Sequence, residues 1–197
     1  MSQACGLDLF LTKAPIIPLA RPVFDLDCTP GTYFSYVVGD NSAPIAAVNA
    51  ISSRSGCSAL YSHCKPKTLL VTGSHEASLA ALRNGEAGVA AIDAVTWHIL
   101  KRETPAQLSG LPICARSTEA PSPPYVTRNR RDPQHIFSQL QGSIGSPQNE
   151  AARAALLLRD IMPTELKDYA AVFSEFQEIV RYPSPEIIQR QTQSFVG

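Results

Sequence analysis

The stretch Thr68 to Trp97, TLLVTGSHEASLAALRNGEAGVAAIDAVTW, constrains the fold more than any other part of the chain. Leu69-Leu70-Val71 is an apolar run of strand length, and Thr72-Gly73-Ser74 breaks it. Ala77, Leu79, Ala80, Ala81 and Leu82 then recur as the apolar positions of a helix. Asn84-Gly85 closes that helix, because both residues tolerate the left-handed conformation of a helix end. Val89-Ala90-Ala91-Ile92 reads as a second strand ending at Asp93, and Ala94 to Arg102 as a second helix. Strands this free of polar residues are expected where helices cover both faces of a mostly parallel sheet. The class is therefore α/β. In such sheets ligands bind beyond the carboxyl ends of the strands. Ser74, His75 and Asp93 fall at that edge, where the N–H groups opening each helix favour a negative group.

Upstream, Ser2 to Leu11 reads as a short helix, and Pro15, Pro18 and Pro22 force the following residues into extended chain. Thr32 to Val38, TYFSYVV, is β-branched and aromatic and predicts one strand. Ile45 to Val48 is a short strand that leads through Ser52-Ser53-Arg54-Ser55-Gly56 into a short helix ending near Tyr61. Serines at a helix start accept from free backbone N–H groups. This second strand-to-helix junction thus repeats the chemistry of Ser74-His75, and the two together suit one small anion.

Downstream, Leu111 to Ala115 and Tyr125 to Thr127 read as strands, separated by the proline-rich segment STEAPSPP. The remainder is expected to be helical: Pro133 to Leu140, Asn149 to Met162 with Leu156, Leu157 and Ile161 as core positions, and Thr164 to Arg181. Pro163 suits the first turn of that last helix, and Tyr169, Val172, Phe173 and Phe176 share one face. The tail from Pro183 is weakly specified.

The 197 residues carry 17 basic and 17 acidic side chains, so bulk charge argues against a nucleic-acid surface. The run Arg128-Asn129-Arg130-Arg131 reads as a solvated turn. Five cysteines without a CxxC motif give no disulfide framework, and Cys57, His63 and Cys64 match no zinc spacing. No cofactor is called for. The start at Met1 shows neither a signal peptide nor a transmembrane run, which taken alone points to the cytoplasm.

The stretch TGSHEASLAALRNGEAGVAAIDAVTW, followed by PPYVTR, resembles the second lobe of phosphate/phosphonate-type periplasmic solute-binding proteins of ABC transporters. The resemblance implies a periplasmic-binding-protein-like type II lobe. On that reading residues 1–38 are the remnant of a first lobe and a crossing strand, 39–116 the second lobe, and 117–197 the return crossing and C-terminal helices. Ser53, Arg54 and Ser55 stand at the hydroxyl-rich helix start that cradles the anion, and His75 at a histidine that reaches the same group. Tyr33 and Ser35 resemble the Tyr-x-Ser of the first crossing strand, and Tyr125 lies at the return crossing. Asp93 suits a protonated phosphonate or a ligand amine. The implied partners are a small anionic ligand and an ABC permease, and the implied compartment is the periplasm. Three departures stand out: most of the first lobe is missing, the helix after Gly56 is short, and Arg54 replaces a small hydroxyl residue. The first implies that a second copy of the chain supplies the other wall of the cleft.

Two other functions compete. One is a cytoplasmic ligand-sensing or interaction protein on the same fold, which is non-catalytic. The other is a hydrolase using Ser74, His75 and Asp93. Adjacent side chains at a helix start diverge, and no G-x-S-x-G elbow is present, so catalysis is not expected.

Overall fold

The computed structural model describes residues 1–128, 132–181 and 184–190. In chain order these form β1 (Ser2–Gln3), α1 (Asp8–Leu11), β2 (Ile17–Phe24), β3 (Thr32–Tyr33), β4 (Ser35–Gly39) and β5 (Ile45–Val48). A π-helical turn (Arg54–Ser58) runs into α2 (Ala59–Tyr61), followed by β6 (Thr68–Val71), α3 (His75–Arg83), β7 (Val89–Asp93) and α4 (Ala94–Glu103). The second half holds β8 (Ile113–Arg116), β9 (Ala120–Pro121), β10 (Tyr125–Thr127), α5 (Pro133–Gly145), α6 (Glu150–Ala155), β11 (Leu158–Pro163), α7 (Ala170–Val180) and β12 (Glu186–Gln189).

The β-α-β-α unit is present as read, and it forms the middle of a six-stranded sheet ordered β12-β6-β5-β7-β4-β8. The first four of these run parallel, while β4 runs antiparallel to both β7 and β8. The sheet is thus mixed. Side-chain alternation divides its core cleanly. Ala46, Val48, Val89 and Ala91 pack on the face that meets Leu60 and Ile179. Ala47, Ala90 and Ile92 pack on the other face with Leu79, Trp97 and Leu100 of α3 and α4. One strand position therefore feeds one helical layer, as a two-sided parallel core requires.

A second sheet, ordered β1-β10-β2-β11, is antiparallel throughout. Its apolar face, Leu19, Ala20, Leu158 and Ile161, meets Ile136, Phe137, Leu140 and Ile144 of α5. Residues from both ends of the chain build it, so the smaller layer is more than the N-terminal remnant alone. Between the sheets lie the crossing segments: β3 pairs β9, and Tyr169 donates from its hydroxyl to the Ser122 carbonyl at 2.8 Å. Phe10 and Phe173 stack beside this junction with centroids 4.7 Å apart.

Several expectations are corrected. Ser2 to Leu11 is a strand and a single helical turn, not one helix. The predicted strand Thr32 to Val38 is divided at Phe34, because β3 joins the crossing pair and β4 the main sheet. The predicted helix Asn149 to Met162 ends at Ala155, and Leu158–Pro163 pairs antiparallel with β2. Leu156 is consequently exposed rather than core, while Ile161 is buried. Pro163 ends a strand instead of opening a helix, and the last helix begins after a capped turn at Glu165. The weakly specified tail contains β12, which adds parallel to β6; residues 182–183 and 191–197 lie outside the described residues. Of the basic run, Asn129, Arg130 and Arg131 also lie outside them. All five cysteines are free. Among the described residues no helix is long and apolar enough to cross a membrane.

Candidate functional site

Strand β5 lies between β6 and β7, so the turns that follow all three parallel strands open on one edge of the sheet. This placement brings together residues far apart in sequence. The Ser55 hydroxyl lies 3.1 Å from His75 Nε2, and Asp93 Oδ2 lies 3.3 Å from the same nitrogen. Asp93 also caps α4, accepting from the Thr96 amide at 2.9 Å and the Thr96 hydroxyl at 2.5 Å. Ser53 caps the π-helical turn through the Gly56 amide at 3.0 Å, with its hydroxyl 3.4 Å from that of Ser55. Tyr33 is buried in the crossing strand and faces the same recess as Ser55 and Asp93. Burial pushes the Tyr33 phenol far above its ordinary range, so it stays a neutral donor.

Beside this chain of groups is a cavity of about 260 Å³. The larger layer lines it with Ser55, Asp93 and Val95, the crossings with Tyr33 and Pro123, and the smaller layer with Gln3, Phe24, Tyr125, Leu156 and Leu158. Both walls belong to this one chain. The geometry therefore does not require a second copy to complete the cleft.

Both Ser55 and Asp93 approach His75 at Nε2, and Nδ1 is buried with no hydrogen-bond partner among the described residues. A hydrolytic relay uses the two ring nitrogens separately, one for the nucleophile and one for the carboxylate. The arrangement instead gathers a hydroxyl and a carboxylate around one ring nitrogen. Among the described residues no group of three or more His, Cys, Asp or Glu side chains converges to hold a metal.

A family model for the periplasmic phosphonate substrate-binding proteins of ABC transporters matches residues 61–159. The chain belongs to this family. No curated protein matches it. Among solved structures it is similar to a binding-protein component of an ABC phosphonate transporter from Pseudomonas aeruginosa, with a TM-score of 0.71 at 15% identity. That match covers 88% of this chain and 66% of the Pseudomonas protein, so the chain spans just under two thirds of its length. A Prochlorococcus marinus protein in complex with methylphosphonate matches with a TM-score of 0.66 at 15% identity, over 85% of this chain and 72% of its own. A Xanthomonas citri protein bound to ATP matches with a TM-score of 0.68 at 14% identity, over 92% and 78%. At these identities the three likenesses establish the fold.

Within this phosphonate-binding-protein framework the residues singled out from the sequence divide into two groups. Ser55, Asp93, Tyr33 and Tyr125 line the cavity, and His75 touches two of them. The other four do not line it. Ser74 is exposed and caps α3 through the Ala77 amide at 3.0 Å. Ser53 caps the neighbouring turn. Ser35 is fully buried; it pairs with Asp93 across β4 and β7, and its amide donates to the Ser117 hydroxyl oxygen at 2.9 Å.

Arg54 turns away from the cavity. Its guanidinium lies 3.3 Å from Glu175 of α7 and donates to the Thr118 carbonyl at 2.9 Å and hydroxyl at 3.2 Å. Arg54 thus ties the serine turn to the crossing segment and the last long helix. Sequence reasoning missed the remaining lining residues, Gln3, Phe24, Val95, Pro123, Leu156 and Leu158, and so all of the smaller layer's wall but Tyr125. Only the pairing of β2 with β10 and β11 brings most of them to the cleft, and no local pattern signals it.

Proposed function

We propose that this chain is a solute-binding component that captures a small oxyanion, phosphate or a phosphonate, in the cavity between its two layers for ABC-type uptake. The observation that carries the proposal is the meeting of Ser55, His75 and Asp93 at one sheet edge beside a two-walled cavity, in a member of the phosphonate-binding family. The Ser55 and Tyr33 hydroxyls and the His75 ring supply directional hydrogen bonds. The opening turns of α3 and α4 add backbone dipoles that favour negative charge. Asp93 already accepts two bonds from Thr96, which spreads its charge into the helix start. A monoprotonated phosphonate donates its remaining proton to that carboxylate, so the anion is held without repulsion.

Capture is noncovalent, since His75 presents a single nitrogen to both neighbours and activates no nucleophile. The partners are the ligand and an ABC permease, with no nucleic acid, and the compartment is the periplasm that the family occupies. Isothermal titration with phosphate and methylphosphonate tests this reading. Binding is expected, and Ser55→Ala or His75→Ala each weakens it about tenfold or more, the loss of one hydrogen bond to a charged group. No binding of either anion, or binding indifferent to both substitutions, refutes it.

A further inference from the structure

A second cavity, of about 530 Å³, lies behind the serine turn and shares no lining residue with the cleft. Arg54 and Ser58 reach it from the π-helical turn, Thr118 and Ala120 from the crossing segment, and Glu175 and Glu178 from α7. Two polar groups here lack a hydrogen bond. Arg54 is 2% exposed and Ser58 1%, yet Arg54 Nη1 and Ser58 Oγ have no partner among the described residues. The other two nitrogens of the same guanidinium are taken, Nε by Glu175 and Nη2 by Thr118. A buried polar atom left unpaired costs folding free energy, so two of them against one cavity call for a partner from outside the chain. A guanidinium nitrogen only donates, and the partner it lacks is therefore an acceptor.

The charges around the cavity decide what kind of acceptor fits. Two cations, Arg54 and Lys65, stand against three carboxylates, Glu119, Glu175 and Glu178. A simple anion meets a net negative lining, and a simple cation leaves Arg54 Nη1 unpaired. A molecule carrying both charges satisfies both ends. Glu119 already accepts from the Thr29 amide and the Thr32 hydroxyl, and Glu175 from Arg54, which leaves Glu178 to receive the positive end. Glu175 and Glu178 are three residues apart on α7 and so share a face of that helix. Val172 and Ile179 add apolar surface from the same helix. We infer that this cavity is a second binding site, for a small zwitterion of the apolar α-amino-acid class, with its carboxylate at Arg54 and Ser58 and its ammonium at Glu178. The inference does not depend on the oxyanion reading, since the two cavities are lined by different residues.

The test is isothermal titration of the full chain with L-alanine, L-valine and L-leucine. Isovalerate, which is valine without its ammonium, and isobutylamine, which is valine without its carboxylate, serve as the fragments. L-valine is expected to bind, and each fragment to bind at least about tenfold more weakly, the loss of a hydrogen bond to a charged group. Glu178→Gln changes an exposed residue and is expected to weaken L-valine about tenfold while leaving isovalerate unaffected. Ser58→Ala deletes a hydroxyl that no other described residue uses, so the fold tolerates it, and L-valine is expected to bind about threefold to tenfold more weakly. The heat of L-valine binding is expected to be the same with and without excess methylphosphonate. No binding by any of the three amino acids in the millimolar range overturns the inference, as does a fragment that binds as tightly as L-valine. Binding indifferent to both substitutions, or mutual exclusion with methylphosphonate, overturns it too. None of these results bears on oxyanion capture, which the Ser55 and His75 variants test separately.

Discussion

Removing Glu175 isolates the energetic role of the buried arginine. Arg54 is almost wholly enclosed, its side chain 3% exposed against 26% for Glu175. Glu175→Gln leaves the Thr118 contacts in place but strips the guanidinium of its counter-charge. Breaking a fully buried pair from one side costs about 3–5 kcal/mol. Because Glu175 is about a quarter exposed, water screens part of that loss, and roughly 2–3 kcal/mol is the reasonable figure. For a chain of this size each kcal/mol moves Tm by about 2–4 °C, so a fall of roughly 4–12 °C is expected in differential scanning calorimetry. Glu103→Gln, which removes an exposed pair with Arg102, serves as the control and shifts Tm by no more than about 2 °C. The double variant Arg54→Met with Glu175→Met removes both charges and recovers most of the loss, because well-packed apolar groups replace a desolvated pair without penalty. Equal Tm values for Glu175→Gln and the wild type refute the claim that Glu175 compensates the buried charge.

Three further outcomes follow from the same contacts. Gly56→Ala places a Cβ against Asn49 Oδ1, so the serine turn must shift; oxyanion affinity measured by titration falls more than tenfold while the two sheets stay folded by circular dichroism. Asp168 accepts from the Glu165 amide and the Thr164 hydroxyl, each at 2.9 Å, and the Glu165 bond in particular holds its carboxyl below the ordinary value of 3.8. Its stabilisation is therefore complete above that value and lost as pH falls through the depressed one. Asp168→Ala lowers stability by roughly 1–2 kcal/mol in neutral urea denaturation, and the difference closes in strong acid. Burial pushes the Cys57 and Cys64 thiols up to about 12, whereas Cys114 is exposed. Ellman's reagent at mild alkaline pH thus labels Cys114 far faster than either, and comparable rates count against the packing of α2 on the sheet.

The parts legible in the sequence are those whose signal is local. The unit from β6 to α4 announces itself because apolar runs of three and four residues are punctuated by Gly73 and Asn84-Gly85, and the parallel topology then fixes which turns share an edge. That is why Ser55, His75 and Asp93 could be grouped before any coordinates, whereas Ser74, grouped with them, is exposed and caps α3. What failed depends on distant partners. EAARAALLL has the composition of a helix, and only pairing with β2, more than a hundred residues earlier, turns Leu158–Pro163 into a strand. The short run Glu186–Gln189 becomes a strand because the β6 edge is free to receive it. Arg54 between two serines at a helix start reads as an anion contact until Glu175 and Thr118 are seen to claim it.

The antiparallel sheet also sets a timetable for synthesis. Strand β2 leaves the ribosome well before its partners β10 and β11, which begin only at Tyr125 and Leu158. At about 5–20 residues per second, β2 waits roughly 5–20 s for its first main-chain partner. During that interval Leu19, Val23 and Phe24 have no sheet to join, while the central parallel strands between them can already condense. The nascent chain therefore spends its most vulnerable seconds with an apolar strand unclaimed, the kind of segment that holding chaperones bind.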